Sequence, residues 1–177
     1  MEMSRNELLK RLERLDEDAG LSFENDERFH LVIVGGGALI LQEYIARATY
    51  DVDAIAVSSK LLHLLEKYDI NCRVQAYINN FPYNYEDRFV LLFQGRRVDF
   101  FTASLEDIVI AKLYSMRPVD IADITSDEVL NRINWPLLER LATGDDEAKA
   151  SALNERGYLV FLDNYNQYVR RYQPCAN

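Results

Sequence analysis

Two aspartates separated by a single valine, Asp51-Val52-Asp53, are the residues of this chain best suited to chemistry. On an extended strand, side chains two positions apart point to the same face. The two carboxylates then form one patch of concentrated negative charge, and their repulsion raises the pKa of one of them. A divalent cation relieves it. Hard carboxylate oxygens suit Mg2+ (or Mn2+), which takes one or two carboxylates and fills its shell with substrate phosphates. Upstream lie Gly35-Gly36-Gly37. Glycines let a phosphate approach the backbone, and a helix opening there offers free N–H groups. Asp99, within Arg97-Val98-Asp99-Phe100-Phe101, is a third carboxylate among apolar neighbours. It needs a partner there, and a metal is one candidate. An anion site beside a metal site is the equipment of metal-assisted phosphoryl or nucleotidyl transfer.

The elements that must position these residues follow from periodicity. Residues 6–18 carry Leu8, Leu9, Leu12 and Leu15 at helical spacing, and 19–28 read as a polar loop. His30-Leu31-Val32-Ile33-Val34 is a continuous apolar run ending at the glycines, the pattern of a buried strand. A helix is expected over 38–48, a strand over 51–57, and a helix from Ser58-Ser59 to about Tyr68. Arg73–Ile78 reads as a short strand, 79–82 as a turn, and 89–93 with 98–101 as a hairpin through Gln94-Gly95-Arg96. From Ser104, which with Asp107 makes a capping pattern, the chain is helical: about 105–115, 118–125, 135–142 and 145–172, with Gly144 at the last break. The expected fold is α+β, a small mixed sheet with flanking helices over residues 1–103, followed by a helical subdomain over 104–177 packed on that core.

Composition narrows the class. The chain has 177 residues, about half of them apolar, and a formal net charge of -9. That supports a real core and argues against coating nucleic acid by bulk charge. Cys72 and Cys175 are too few for a disulfide framework or a zinc site. His30 and His63 have no ligand spacing around them and read as structural. The N-terminus lacks the apolar core of a signal peptide, and no run approaches the ~18 apolar residues of a membrane span. A soluble, cytoplasmic protein with no membrane partner is expected.

With these motifs in order, GGGAL (35–39), DVD (51–53) and VDFF (98–101), the chain resembles the polymerase-beta-type nucleotidyltransferase superfamily. It is most similar to the small prokaryotic branches, including the abortive-infection (AbiEii-like) toxin type, whose helical part carries Lys, Arg and aspartates. Here Lys112, Arg117, Asp120 and Asp123 match, and Tyr83–Arg88 is similar to an uncharacterised group of the same superfamily. The resemblance implies that Asp51, Asp53 and Asp99 bind the catalytic metals, Asp99 also activating the acceptor hydroxyl. It implies that Gly35, Gly36 and Gly37 hold the phosphates, that Lys112 contacts phosphate, and that Asp120 or Asp123 orients nucleotide or acceptor. The implied activity is transfer of NMP from an NTP to a hydroxyl of RNA or protein, as part of a toxin–antitoxin or phage-defence system. Partners would be the NTP, the acceptor, and a cognate antitoxin or toxin or a second copy. The sequence departs from the family at Gly37, where a serine is usual, and in a longer spacing from the glycines to Asp51.

Three other readings compete. A dinucleotide-binding loop needs a third glycine where this chain has Ile40. Lys112 and its aspartates fit a solvated helix face as well as a site. A catalytically inactive binding or regulatory module, for instance an antitoxin, keeps the fold without the reaction. The aromatics Tyr158, Phe161, Tyr165, Tyr168 and Tyr172 recur at helical spacing and read as packing rather than a base-stacking platform. Arg47 and Thr49, just ahead of the aspartate pair, either line the site or end a helix.

Overall fold

A computed structural model describes residues 2–24, 26–56, 58–74, 78–145 and 155–174. The fold is α+β, with a five-stranded mixed sheet and C-terminal helices. Two compact units form, Met1–Val74 with Phe89–Ala103 and Gln75–Arg88 with Ser104–Asn177. Among the described residues no helix is long and apolar enough to cross a membrane.

The first unit is built on the sheet β3-β2-β1-β5-β4: β1 Phe29–Val34, β2 Val52–Ala56, β3 Ile70–Asn71, β4 Val90–Gln94 and β5 Val98–Thr102. β1 is central, antiparallel to β2 and parallel to β5. Leu31, Val32, Ile33 and Val34 are all fully buried, which is why their run does not alternate. Helix α1 (Arg5–Ser22) is capped by Glu7, whose carboxylate accepts the Ser4 backbone N–H at 2.7 Å. It buries Leu8, Leu12, Leu15 and Ala19. Ala19 continues the apolar stripe one turn past Leu15, so the helix overruns the loop expected from residue 19.

Helix α2 (Gly35–Leu41) is shorter than the sequence suggests. Glu43 adopts a left-handed φ of 61° and Tyr44 N–H bonds back to Leu39 O at 2.8 Å, the closure of a Schellman end. The Gln42 amide is held by the Thr102 hydroxyl and by Ala103 O. Ser58 caps a short 3-10 turn over Ser59–Leu61 that leads into α3 (Leu62–Lys67). The strand expected at 73–78 lies instead at Ile70–Asn71, paired parallel to β2; residues 75–77 of that expectation are outside the described ones. The edge position asks for only two residues of pairing, too few to leave an alternating pattern.

The hairpin β4–β5 has a long-range fastening. Asp16 of α1 accepts the backbone N–H groups of Arg96 at 2.5 Å, Arg97 at 2.7 Å and Val98 at 2.8 Å. Gly95 leaves the room: a Cβ there would lie 2.5 Å from Val98 O and 2.6 Å from Asp16 Cγ.

In the second unit, α4 (Leu105–Ser115) is buried on nearly every side. The Ser104 hydroxyl accepts the Asp107 N–H at 3.2 Å and donates to the Asp107 carboxylate at 2.7 Å. α5 (Pro118–Ile124), α6 (Asp127–Arg132), α7 (Trp135–Thr143) and α8 (Glu155–Tyr172) follow. α6 was not expected as a separate helix; only Val129 of it is buried, so its apolar signal is faint. Phe161, Tyr165 and Tyr168 of α8 are buried, and Tyr114 stacks on Phe161 at 4.2 Å. The stripe is core. Residues 78–88 are tied to this unit by Arg88, which makes a two-pronged bond to Asp107, at 2.9 and 2.7 Å.

Asp16→Ala strips three turn amides of their acceptor, and urea unfolding at pH 7 is expected to show a loss of roughly 2–4 kcal/mol. A loss under about 0.5 kcal/mol, within the range of a neutral surface change, would show that the fastening is unimportant.

Candidate active site

Strand pairing sets the geometry. Val34, the last residue of β1, pairs with Asp53. The aspartate pair therefore lies level with the turn that opens α2. Asp51, just ahead of β2, is exposed and Asp53 half-buried. The Asn71 amide donates to Asp53 Oδ1 at 2.7 Å, and Arg73 N–H fixes Asn71 by donating to its side-chain oxygen at 3.0 Å. Upstream, Thr49 exchanges backbone hydrogen bonds with Met3 at 2.7 and 3.0 Å, and its hydroxyl donates to Asp51 O at 3.0 Å. Both flanks of the pair are thus held by the first unit's own backbone. Burial pushes the neighbouring Cys72 thiol up, the Asp53 charge adds to it, and the sulfur stays protonated.

Gly35 has a φ of 63°, a left-handed conformation that lets β1 turn sharply into α2. A Cβ on Gly36 would meet Arg47 Nη2 at 2.6 Å, so that glycine seats the guanidinium of Arg47 against the turn. Gly37 has no such constraint; a Cβ there would meet Ile33 Cγ2 at 3.4 Å, an ordinary contact. The serine usual at that position in the resembling family would fit.

Asp99 is placed elsewhere. It pairs with His30, four residues earlier on β1 than Val34. Both aspartates face the same side of the sheet, but about 13 Å apart along it and about 10 Å across two strand spacings. A shared Mg2+ requires oxygens about 2.1 Å from the ion. Asp99 is instead paired with the Arg28 guanidinium, with His30 Nε2 at 3.7 Å. The triad expected from the sequence is not assembled, and among the described residues no three His, Cys, Asp or Glu side chains gather as metal ligands. His30, expected to lack any cluster, has this acidic neighbour.

In the second unit, Lys112 is 2 % exposed. Its Nζ donates to Asp120 at 2.6 Å and to Asp123 at 2.9 Å. Arg117 Nε and the Ser115 hydroxyl donate to Asp120 at 2.6 and 2.7 Å. This is neither a solvated helix face nor an open phosphate contact: the ammonium is turned inward onto both carboxylates. Burial pushes the Asp120 carboxyl up, but the hydrogen bonds from Arg117, Lys112 and Ser115 outweigh it and hold the acid at about 2.

Each of the buried acids Asp99, Asp107, Asp120 and Asp123 thus has a protein cation. Among the described residues, no Lys or Arg forms an ion pair with Asp51 or Asp53. The buried Asp16 and Glu106 are held by backbone N–H groups instead, so what marks the pair is its place: two carboxylates at the head of one strand, level with the glycine turn. Sequence reasoning missed Asn71, whose two-residue strand left no signal, and Arg28, whose role depends on the register of β5 against β1.

Lys112→Met leaves two carboxylates buried without their shared cation, and is expected to cost roughly 3–5 kcal/mol in denaturant unfolding. Because the folded Asp120 acid is depressed, its contribution is full above about pH 4 and is lost as pH falls towards about 2. The stability gap between wild type and Asp120→Asn should close over that interval. A gap constant from pH 6 to pH 2 would contradict the ion network.

Over residues 10–173 the chain matches the family model described as "Nucleotidyltransferase of unknown function (DUF6036)". No curated protein and no solved structure matches it. The match spans the glycine turn, the aspartate pair and the Lys112 network, and the chain belongs to this nucleotidyltransferase family.

Proposed function

We propose that the chain transfers a nucleoside monophosphate from an NTP to an acceptor hydroxyl, with Mg2+ or Mn2+ held by Asp51 and Asp53. The observation that carries this reading is the register that sets the aspartate pair level with the glycine turn, with no lysine or arginine ion pair on either carboxylate among the described residues. The donor set fits a divalent ion: two hard carboxylates, one of them exposed to solvent, of the kind Mg2+ takes together with substrate phosphates. When bound, the ion supplies Lewis-acid stabilisation of charge on the transferring phosphate.

The protein's own residues do the rest. Asn71 holds Asp53 in one orientation, and the Met3–Thr49 pairing fixes the backbone at Asp51. Arg47, seated on Gly36, brings positive charge to the turn where the phosphates of the NTP would lie. The acceptor oxygen bonds to the α-phosphorus as the bond to the bridging oxygen breaks, and pyrophosphate leaves with the electron pair. With Asp99 engaged by Arg28, Asp51 is the exposed carboxylate left to take the hydroxyl proton. Lys112, Asp120 and Asp123 act by fixing α4 to α5 within their own unit.

A second reading has one observation in its favour. The third carboxylate is engaged elsewhere, and on this reading the chain binds nucleotide without turning it over, as a regulatory module does.

Label transfer from α-labelled NTPs, with cellular RNA and protein offered as acceptors and Mg2+ or Mn2+ present, tests the assignment. Asp51→Asn and Asp53→Asn should each abolish transfer, a loss of at least about 1000-fold when charge stabilisation at the transferring group is removed. Asp99→Asn should keep transfer within about 10-fold while costing roughly 1 kcal/mol, since Arg28 is half-exposed and can hydrate. Label retained by the Asp51 and Asp53 variants sinks the assignment. NTP binding in calorimetry with no label transferred by wild type favours the second reading.

A further inference from the structure

The helical unit carries an open cavity of about 220 Å³, lined from α4, α5 and α8. Its lining joins the buried Leu113, Ile124 and Tyr168 to the exposed Met116 and Ile121. The walls are held in place. The Tyr168 hydroxyl donates to Ile124 O at 2.6 Å, and the Asn164 amide donates to Leu113 O at 2.9 Å.

Met116 is out of keeping with its position. It closes α4 with a left-handed φ of 52°, its N–H bonded back to Lys112 O at 2.8 Å. Glycine or asparagine is usual at such a helix end, because a Cβ crowds the backbone there. A long apolar side chain is kept at this strained position and is still 37 % exposed, with Ile121 at 38 %. Strain retained for an exposed apolar side chain points to a use outside the fold. Methionine, flexible and polarisable, suits a surface that must fit another chain.

The cavity selects its occupant by size, length and charge. Its volume lies below the roughly 300 Å³ at which pockets for free small molecules begin, so it suits the side chains of a larger body. The lining runs along α8 from Asn164 to Tyr172, about 12 Å at the helical rise. That is a little over two turns, the span of helical anchors at i, i+4 and i+7. Arg171 is the one charged residue of the described lining, its guanidinium 5.3 Å from the centre of the Tyr172 ring. One cation is too few for a lipid surface, which is met by a face rich in lysine and arginine, but it matches one carboxylate. The chain's own exposed pair Leu159 and Val160 is adjacent rather than spaced by a turn, so it does not supply this pattern to a second copy.

The geometry points to a docking groove for an amphipathic helix of a partner protein, its large apolar residues at i, i+4 and i+7 filling the cavity and an aspartate or glutamate facing Arg171. The inference is independent of the chemistry proposed for the aspartate pair.

Selection from a display library of random helix-forming peptides of about 15 residues, long enough to hold a helix, on the full chain tests it. Enriched peptides should share the i, i+4, i+7 apolar stripe with an acid at one end of it. Such a peptide, labelled for anisotropy, should lose at least about 10-fold in affinity against Ile121→Asp and against Met116→Gly. Met116→Gly should keep or raise the Tm, because glycine relieves the left-handed backbone. Arg171→Glu should weaken binding at least about 5-fold, and changing the peptide's acid to lysine should restore it. No enrichment, binding that survives Ile121→Asp and Met116→Gly, a lowered Tm for Met116→Gly, or no rescue by the lysine peptide would each overturn the inference. So would self-association in sedimentation, or binding to phosphatidylserine vesicles, that Ile121→Asp abolishes; these would assign the groove to a second copy or to a lipid surface.

Discussion

Asp16 reaches out of α1 to accept three consecutive backbone N–H groups at the start of β5, and the arrangement of the first unit depends on it. A carboxylate that collects several amides is a strong, directional anchor, because each bond is charge-assisted and the Arg97 and Val98 amides would otherwise be buried unpaired. The anchor fixes where β5 begins, and so which residue of β5 meets which residue of β1. With Phe29 opposite Val98, Asp99 must fall opposite His30. A slip of one residue would turn Asp99 to the other face and carry Phe100 out of the core.

That register divides the acids of the chain by what neutralises them. Asp99 goes to the end of the sheet where Arg28 waits, and Asp107 and Asp120 find Arg88 and Lys112 inside the helical unit. Buried charges are tolerated only when paired, and each of these is. The Asp51–Asp53 pair sits at the opposite end of β1 with an amide, Asn71, and, among the described residues, no lysine or arginine ion pair. Two adjacent carboxylates in that condition are suited to an external cation. The glycine turn beside them is shaped for different reasons at each position: conformation at Gly35, the Arg47 guanidinium at Gly36, and neither at Gly37.

Local signals carried most of the fold. The apolar run of β1, the capping pair Ser104 and Asp107, Pro118 at the start of α5 and the aromatic stripe of α8 each act over a few residues and are visible in the chain. The errors came from interactions that span it. α2 ends at Leu41 although its apolar pattern continues, because Gln42 is drawn to Thr102 and Ala103, some sixty positions away. β3 is two residues long and exists only through its pairing with β2. That Asp51 and Asp53 lie side by side follows from their i, i+2 spacing at the head of one strand; where Asp99 lies relative to them does not follow from motif order, because motif order does not report register. Lys112 was legible as special, but whether its ammonium faces outward or into Asp120 and Asp123 depends on how α4 meets α5.

The most direct test of the central claim, that Asp51 and Asp53 alone among the acids make the metal site, is anomalous diffraction from crystals grown with Mn2+ and a non-hydrolysable NTP. One strong peak is expected within about 2.2 Å of both carboxylates, with Arg28 still on Asp99. A Mn2+ peak at Asp99, or none at the Asp51–Asp53 pair while nucleotide is bound, would contradict it.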